Sequence, residues 1–346
     1  MFSLKKSKKV INIVIEDYVL RIVETSGHNI SSIKMVSEKP LPAGIIVHGK
    51  VADEIQFYSF MKELVKELGL KNRLVRFYVP DSLVIMRQVE FPAHLKNKKE
   101  IKEYFDTEIG KSIHLPFKTP VFDIHYPPFE TPNRKETMME NLNEMHQGIL
   151  FAAPEEEMTK YTEILVDVSM KPIVADVKAL GIYRYYQQMK HIDTSHSYLF
   201  VELNVTSIHI GIFHNHQLEF LRFQNLDLKL KGWKASNLPN EPVHWNFEEE
   251  EAVIKGIVGD QILELERIMN FYRFSIHKGE KGVTDIVILG DHPNKQEFYQ
   301  KVKSQSDLPI NLLQNHETKA KEISSFYIPA LGLALEGGEL ADEARS

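Results

Sequence analysis

The sequence predicts a two-lobed α/β fold, each lobe a mixed sheet grown from the same β-β-β-α-β unit, with a small α+β unit inserted between them. Three features of the chain predict this. Residues 10–36 hold three consecutive β-rich runs with short turns between them; a helical repeat and a further strand follow; and the same order begins again at Tyr198.

In the first unit the strands are 10–15, 19–23 and 30–36, separated by Glu16-Asp17 and Ser26-Gly27-His28, so an antiparallel meander is expected. Phe57, Phe60, Met61, Leu64, Val65 and Leu68 then recur at helical spacing, with Asp53 as N-cap and Gly69 as the stop. A strand over 74–79 is closed by Pro80. In the second unit the meander is 198–203, 206–213 and 218–223. His214-Asn215-His216 has the letters of a nuclease signature, but between two strands it reads as a hairpin turn. A long helix through Ile254, Val258, Ile262, Leu265, Ile268 and Tyr272 and a buried strand over 285–289 follow, then a helix over 295–303, a strand over 308–313 and a helix over 331–335.

Between the units lies a block with its own elements. It has a strand over 83–89, and a helix opened by Asn97 and Glu100 in capping-box spacing with Ile101, Phe105 and Ile109 on one face. Strands over 121–126 and 148–152 follow, and then a helix whose first turn carries Glu155, Glu156 and Glu157. The polar stretch 127–147 is expected to be a mobile hairpin tip, and 229–246, which holds Trp233 and Trp245, a crossover. The expected organisation is 1–82 for the first lobe, 83–170 for the insertion and 171–195 for the return to the first lobe. Residues 196–228 with 280–346 make the second lobe, and 229–279 its subdomain.

Composition narrows the chemistry. Of 346 residues, 43% are apolar and 26% charged, which suits a soluble globular chain of about two domains. The net charge of -6 gives no general attraction for nucleic acid. No apolar run is long enough to span a bilayer, and the basic start reads as neither signal peptide nor span, so a cytoplasmic protein is expected. With 0 cysteines there is no thiol chemistry. The 15 histidines form no tight ligand spacing, so no metal site is expected, and no G-x-S-x-G elbow, Walker loop or G-x-G-x-x-G is present. The lysines at 5, 6, 8 and 9 and at 96, 98 and 99 read as solvated surface, with anionic lipid as the second reading.

Local phrases then suggest a family. Leu41-Pro42-Ala43-Gly44 with Gly49 and Asp53, Phe91-Pro92-Ala93, Ile113-His114-Leu115-Pro116-Phe117 with Asp123, the run from Arg267 to Tyr272 and the run from Ala330 to Leu335 together resemble, in order, PilM, a branch of the actin/FtsA superfamily that assembles type IV pili. The resemblance implies an actin-like fold and a nucleotide cleft, and the departures fall on that cleft. Its first phosphate turn, normally Asp-X-Gly, reads Val14-Ile15-Glu16 and its second Glu202-Leu203-Asn204; the adenosine loop reads Gly290-Asp291. Glycine is needed where backbone N–H groups approach phosphate, and a carboxylate there repels it.

A cleft without ATP and without catalysis is therefore expected. The alternative is an ATP-binding switch, with Asp17 and Glu202 holding magnesium and Glu264 facing a ribose. The resemblance also implies a partner, the short cytoplasmic tail of a PilN-like single-span membrane protein, docking on the inserted unit at Phe91, Ile113, Leu115 and Phe117. It would hold the chain peripherally at the inner face of the membrane, within the pilus assembly complex. An FtsA-like membrane-tethered filament is the weakest reading, because the tail carrying Glu336, Glu339, Asp342 and Glu343 is acidic.

Overall fold

The computed structural model describes residues 9–126, 144–226, 233–236, 243–248, 251–314, 316–317 and 322–337. The first sheet contains β1 (Lys9–Ile15), β2 (Val19–Ser26) and β3 (Asn29–Pro40) as an antiparallel meander. A short hairpin of β4 (Ile46–Val47) and β5 (Lys50–Val51) leads into α1 (Glu54–Leu68) and then β6 (Leu74–Tyr78), which pairs parallel to β1. The cap residues of α1 act as the sequence predicts. The Asp53 side chain accepts from Gln56 N, and Gly69, at φ 65°, donates its N–H to Val65 O.

A 3₁₀ turn over Asp81–Leu83 leads from the first lobe into the insertion, so the insertion's first strand, β7 (Ile85–Pro92), begins two residues later than the sequence predicts. The helix α2 (Lys98–Glu108) and the strands β8 (Pro120–His125) and β9 (Met145–Pro154) complete a small sheet of order β7-β9-β8. Of the expected tip, 127–143 lies outside the described residues, while Met145 and Gln147 belong to β9 rather than to a loop.

The chain then returns through α3 (Glu155–Asp167), β10 (Lys171–Asp176) and α4 (Lys178–Met189), with β10 parallel to β6. Met158, Tyr161, Ile164 and Leu165 of α3 share one core with Phe57, Met61, Leu64 and Val65 of α1. By its packing α3 thus sits with the first lobe's sheet, although the sequence reading grouped it with the insertion.

The second sheet is β11 (Ser197–Leu203), β12 (Ser207–His214) and β13 (Gln217–Asn225), again an antiparallel meander. Asn215 and His216, at φ 45° and 61°, form the tight turn between β12 and β13. The expected crossover instead contains a hairpin, β14 (Trp233–Ser236) with β15 (His244–Phe247), whose Trp233 and Trp245 pack against the second-lobe core. Cross-strand aromatic pairing supplies what the turn-poor sequence did not advertise, since the Trp233 and Phe247 rings lie 4.9 Å apart.

Next come α5 (Glu251–Asn270), which continues as a π-helical turn over Phe271–Ile276, then β16 (Asp285–Leu289), α6 (Lys295–Gln305), β17 (Ile310–Leu312), the two-residue pair β18 (His316–Glu317) with β19 (Glu322–Ile323), and α7 (Ile328–Ala334). Helix α5 packs in the same core as β11 and β16.

The two sheets have the same strand order, β3-β2-β1-β6-β10 and β13-β12-β11-β16-β17. The duplication runs further than β-β-β-α-β, to β-β-β-α-β-α-β-α, with α3 matched by α6 and α4 by α7. Between the lobes α4 crosses α7, and Tyr183, Tyr186, Phe200, Phe213, Leu331 and Leu333 share the core they enclose. The crossing is close because both contact residues are glycine. A Cβ on Gly332 would lie 2.0 Å from Gly181 O, and one on Gly181 would lie 1.8 Å from Tyr78 Oη, which donates to Pro329 O at 2.8 Å.

The interlobe cleft as candidate functional site

The cleft opens where the turns after β1 and β11 face each other, and an ionic cluster fills it. Lys178, the first residue of α4, places its ammonium 2.6 Å from Glu16 Oε1, 2.9 Å from Asp81 Oδ2 and 3.0 Å from Glu202 Oε2. Its side chain is 3% exposed, so these contacts are made out of water. Glu16 comes from the β1–β2 turn and Asp81 from the 3₁₀ turn, both in the first lobe; Glu202 comes from β11 in the second.

His209 completes the cluster. It stands opposite Glu202 in the register of β11 and β12, with Nδ1 2.7 Å from Asp81 Oδ2 and Nε2 2.9 Å from Ser207 Oγ. A lysine at a helix N-terminus is on the wrong side of the dipole, and here the surrounding carboxylates offset that cost.

The charges interact strongly. Burial works against the Lys178 ammonium, but Asp81, Glu16 and Glu202 hold its pKa well above the usual lysine value. Burial raises Glu16 despite Lys178, whereas Asp81 resists its burial and is lowered by Lys178 and His209. His209 is opposed by burial and by Lys178, and Asp81 nevertheless raises it.

A second cluster lies at the other end of the same loops. Asp291 accepts from Tyr18 Oη at 2.8 and 2.7 Å, from Val205 N at 3.1 Å, and from the Arg21 guanidinium. Arg21 also pairs with Glu38 at 2.6 Å, and Glu38 accepts from Val243 N at 2.9 Å. Tyr18, Arg21 and Glu38 belong to the first lobe, Asp291, Val205 and Val243 to the second. Burial opposes the Asp291 charge, yet Arg21 and Tyr18 hold its pKa below the ordinary carboxylate value. Beside it, burial pushes His292 down to about 4.

The structure thus joins Glu16 and Glu202 through Lys178 and places Asp291 in the second cluster, with Val14 and Asp17 lining the same cleft as Glu16. Val14, 2% exposed, belongs to the interlobe apolar core where that core borders the cleft. Asp17 accepts from His48 N at 2.6 Å and Gly49 N at 2.9 Å, which ties it to the β4–β5 hairpin, so it does not join Glu202 around a metal. Asn204 donates its backbone N–H to Ser207 O, and Glu264 pairs with Arg222 at 2.8 Å. Gly290, at φ 114°, leaves no room for a Cβ, which would lie 2.0 Å from Leu203 O. Its conformation therefore serves contact between the two loops.

Phe91 is 0% exposed and packs edge-on to Phe105 and Tyr126, so it is core and offers no surface to a partner. Ile113, Leu115 and Phe117 are half-buried against the same core.

Sequence reasoning missed Lys178, Asp81 and His209. A lysine opening a helix, an acid directly after Pro80 and a histidine within an otherwise apolar strand were the available signals. Asp81, Glu202 and His209 stand close enough together for metal ligands, but the Lys178 ammonium already lies between the two carboxylates.

A magnesium triphosphate suits this cleft poorly: three carboxylates face one ammonium, and Gly290 is closed against Leu203. The cluster forms part of the wall of a pocket of about 170 Å³, which Val84, Ile182, Phe200 and Leu221 also line together with Arg87 and Arg222.

Two lobes of duplicated topology facing across a cleft define the actin-like ATPase fold. Within that class, a family model described as type IV pilus assembly protein PilM matches residues 13–232, and the chain belongs to that family. A solved structure described as a PilM-PilN type IV pilus biogenesis complex is similar at TM-score 0.74 and 20% identity, covering 96% of this chain and 99% of that one. Weaker likeness extends to MreB5 of Spiroplasma citri bound to ADP (TM-score 0.47, 8% identity, 99% of each chain). It also extends to the cytoplasmic domain of EpsL, an inner membrane component of the Vibrio cholerae type II secretion system (TM-score 0.46, 8% identity, 94% of each chain). No curated protein sequence matches the chain. Among the described residues no helix is long and apolar enough to cross a membrane.

Proposed function

We propose that this protein is a cytoplasmic scaffold of type IV pilus assembly that binds the short cytoplasmic tail of a PilN-like membrane protein and works without hydrolysing ATP. Family membership carries the first part of this reading. The second rests on the cleft, where Lys178 is surrounded by the acids that would otherwise face a metal nucleotide.

The tail docks on the inserted unit, whose half-buried Ile113, Leu115 and Phe117 offer apolar anchors against the core of its three-stranded sheet. The partner, being anchored, keeps the scaffold at the inner face of the membrane.

Calorimetric titration of the full chain with a synthetic PilN-like tail, with and without ATP and magnesium, tests both parts. Saturable tail binding that is equal in the two conditions, with no heat from ATP alone, is expected. A folded sample that never binds the tail retires the partner. Tail binding that requires ATP replaces the scaffold with a nucleotide-controlled switch.

A further inference from the structure

We propose that Lys178 is the resident counter-ion of the cleft and, together with Asp291, latches the two lobes shut without nucleotide or metal. The idea concerns the closed state alone and is independent of which partner binds.

The geometry is that of a clasp with two contacts. At the inner contact one ammonium joins Glu16 and Asp81 of the first lobe to Glu202 of the second, and His209 of the second lobe reaches Asp81 of the first. At the outer contact the Asp291 carboxylate gathers Tyr18 and Arg21 across the cleft while it accepts from Val205 of its own lobe. Arg21 is locked in turn by Glu38, which reaches Val243 of the second lobe. Lys178, Arg21 and Asp291 are at most 5% exposed at their side chains, so each charge is held by its partners and not by water.

Charge bookkeeping explains why a lysine must be there. Glu16, Asp81 and Glu202 from two lobes could not close on one another without a cation between them, because like charges at these separations repel strongly in a low dielectric. The ammonium supplies that cation covalently, so closure needs nothing from solution. At the far side the lobes are already joined through Gly181 and Gly332, a contact too tight for any side chain. The α4–α7 crossing therefore acts as the pivot and the two ionic contacts as the clasp.

The absence of cysteine from the chain makes the test direct. Spin labels at Lys66→Cys on α1 and Glu266→Cys on α5, both exposed and in different lobes, report the interlobe distance by pulsed electron resonance. One narrow distribution is expected, unchanged by millimolar magnesium ATP or by manganese. Lys178→Met should broaden it and shift the mean outward by several ångström. Glu202→Gln, which keeps shape and removes one charge, guards against misfolding of the first variant and should shift it less, and combining it with Asp291→Asn should open the lobes further than either alone. The latch is overturned if both Lys178→Met and Glu202→Gln keep the parent distribution, or if magnesium ATP or manganese moves the parent protein to a different one.

Discussion

At the scale of single residues, the chemistry of the cleft is decided by what each buried charge has as a partner. Asp291 illustrates it, because the same carboxylate accepts from a phenol, a guanidinium and a backbone N–H. Replacing it by alanine leaves Arg21 buried with Glu38 as its remaining carboxylate, and removing one member of a buried pair typically costs about 3–5 kcal/mol. Asp291→Ala should therefore lower unfolding stability by about that amount in a urea titration, and Asp291→Asn, which retains acceptor capacity for Tyr18 and Val205, by clearly less. Equal losses in the two variants, which both remove the charge, would mean that the charge on Asp291 carries the effect and its hydrogen bonds to Tyr18 and Val205 do not. Val14 stands where the resemblance implies an aspartate in related clefts. An aspartate restored there would bury a carboxylate in the interlobe apolar core, so it would destabilise the chain before it could help a nucleotide.

Among the elements, the α4–α7 crossing concentrates the constraint. The missing side chains at Gly181 and Gly332 allow the helices to touch backbone to backbone, and a methyl group at Gly332 must push α7 away from α4. Gly332→Ala is expected to cost about 1–3 kcal/mol, at the overpacking end of core substitutions, and to lower the thermal midpoint. A thermal midpoint equal to the parent's would show that the crossing has slack. Elements were also where the sequence was most legible. Period-2 runs bounded by turn residues located both meanders, and the Asp53 and Gly69 caps fixed the limits of α1.

What escaped has physical causes. The two-strand hairpin of Trp233 and Trp245 has too few residues per strand to show alternation, and α3 has the same amphipathic pattern whether it covers the inserted sheet or the first-lobe sheet. The candidate site was half legible. Glu16, Glu202 and Asp291 could be found because they break an expected turn, whereas Lys178 and Asp81 meet only through the fold.

For the molecule as a whole, the closed state is proton-linked, and the sign follows from the cluster. His209 faces Asp81, Glu202, Lys178 and Ser207; burial and Lys178 oppose its charge, but Asp81 and Glu202 together raise its folded pKa above the ordinary 6.5. A group whose pKa rises on folding contributes stability that is complete below its unfolded value and is lost as pH climbs through its folded value. Glu16, raised from 4.5 by burial, acts in the same direction.

Asp81 and Asp291, lowered from 3.8, act oppositely, their contribution being present above that value and lost as pH falls through their folded values. His292, pushed down to about 4, and His125, also lowered by burial, destabilise the fold as they protonate, but that effect is confined to the acid side of the unfolded histidine value. Between about pH 7.5 and pH 8.5, where those two are mostly neutral in both states, His209, with its raised pKa, is the histidine left to act, and Glu16 acts with it, so the denaturant midpoint should fall across this interval. His209→Gln should flatten that fall while leaving the acid limb, set by Asp81 and Asp291, in place. A parent protein whose midpoint is level or rises from about pH 7.5 to 8.5 would mean that His209 stays neutral beside Asp81, and the inner contact would then rest on Lys178 alone.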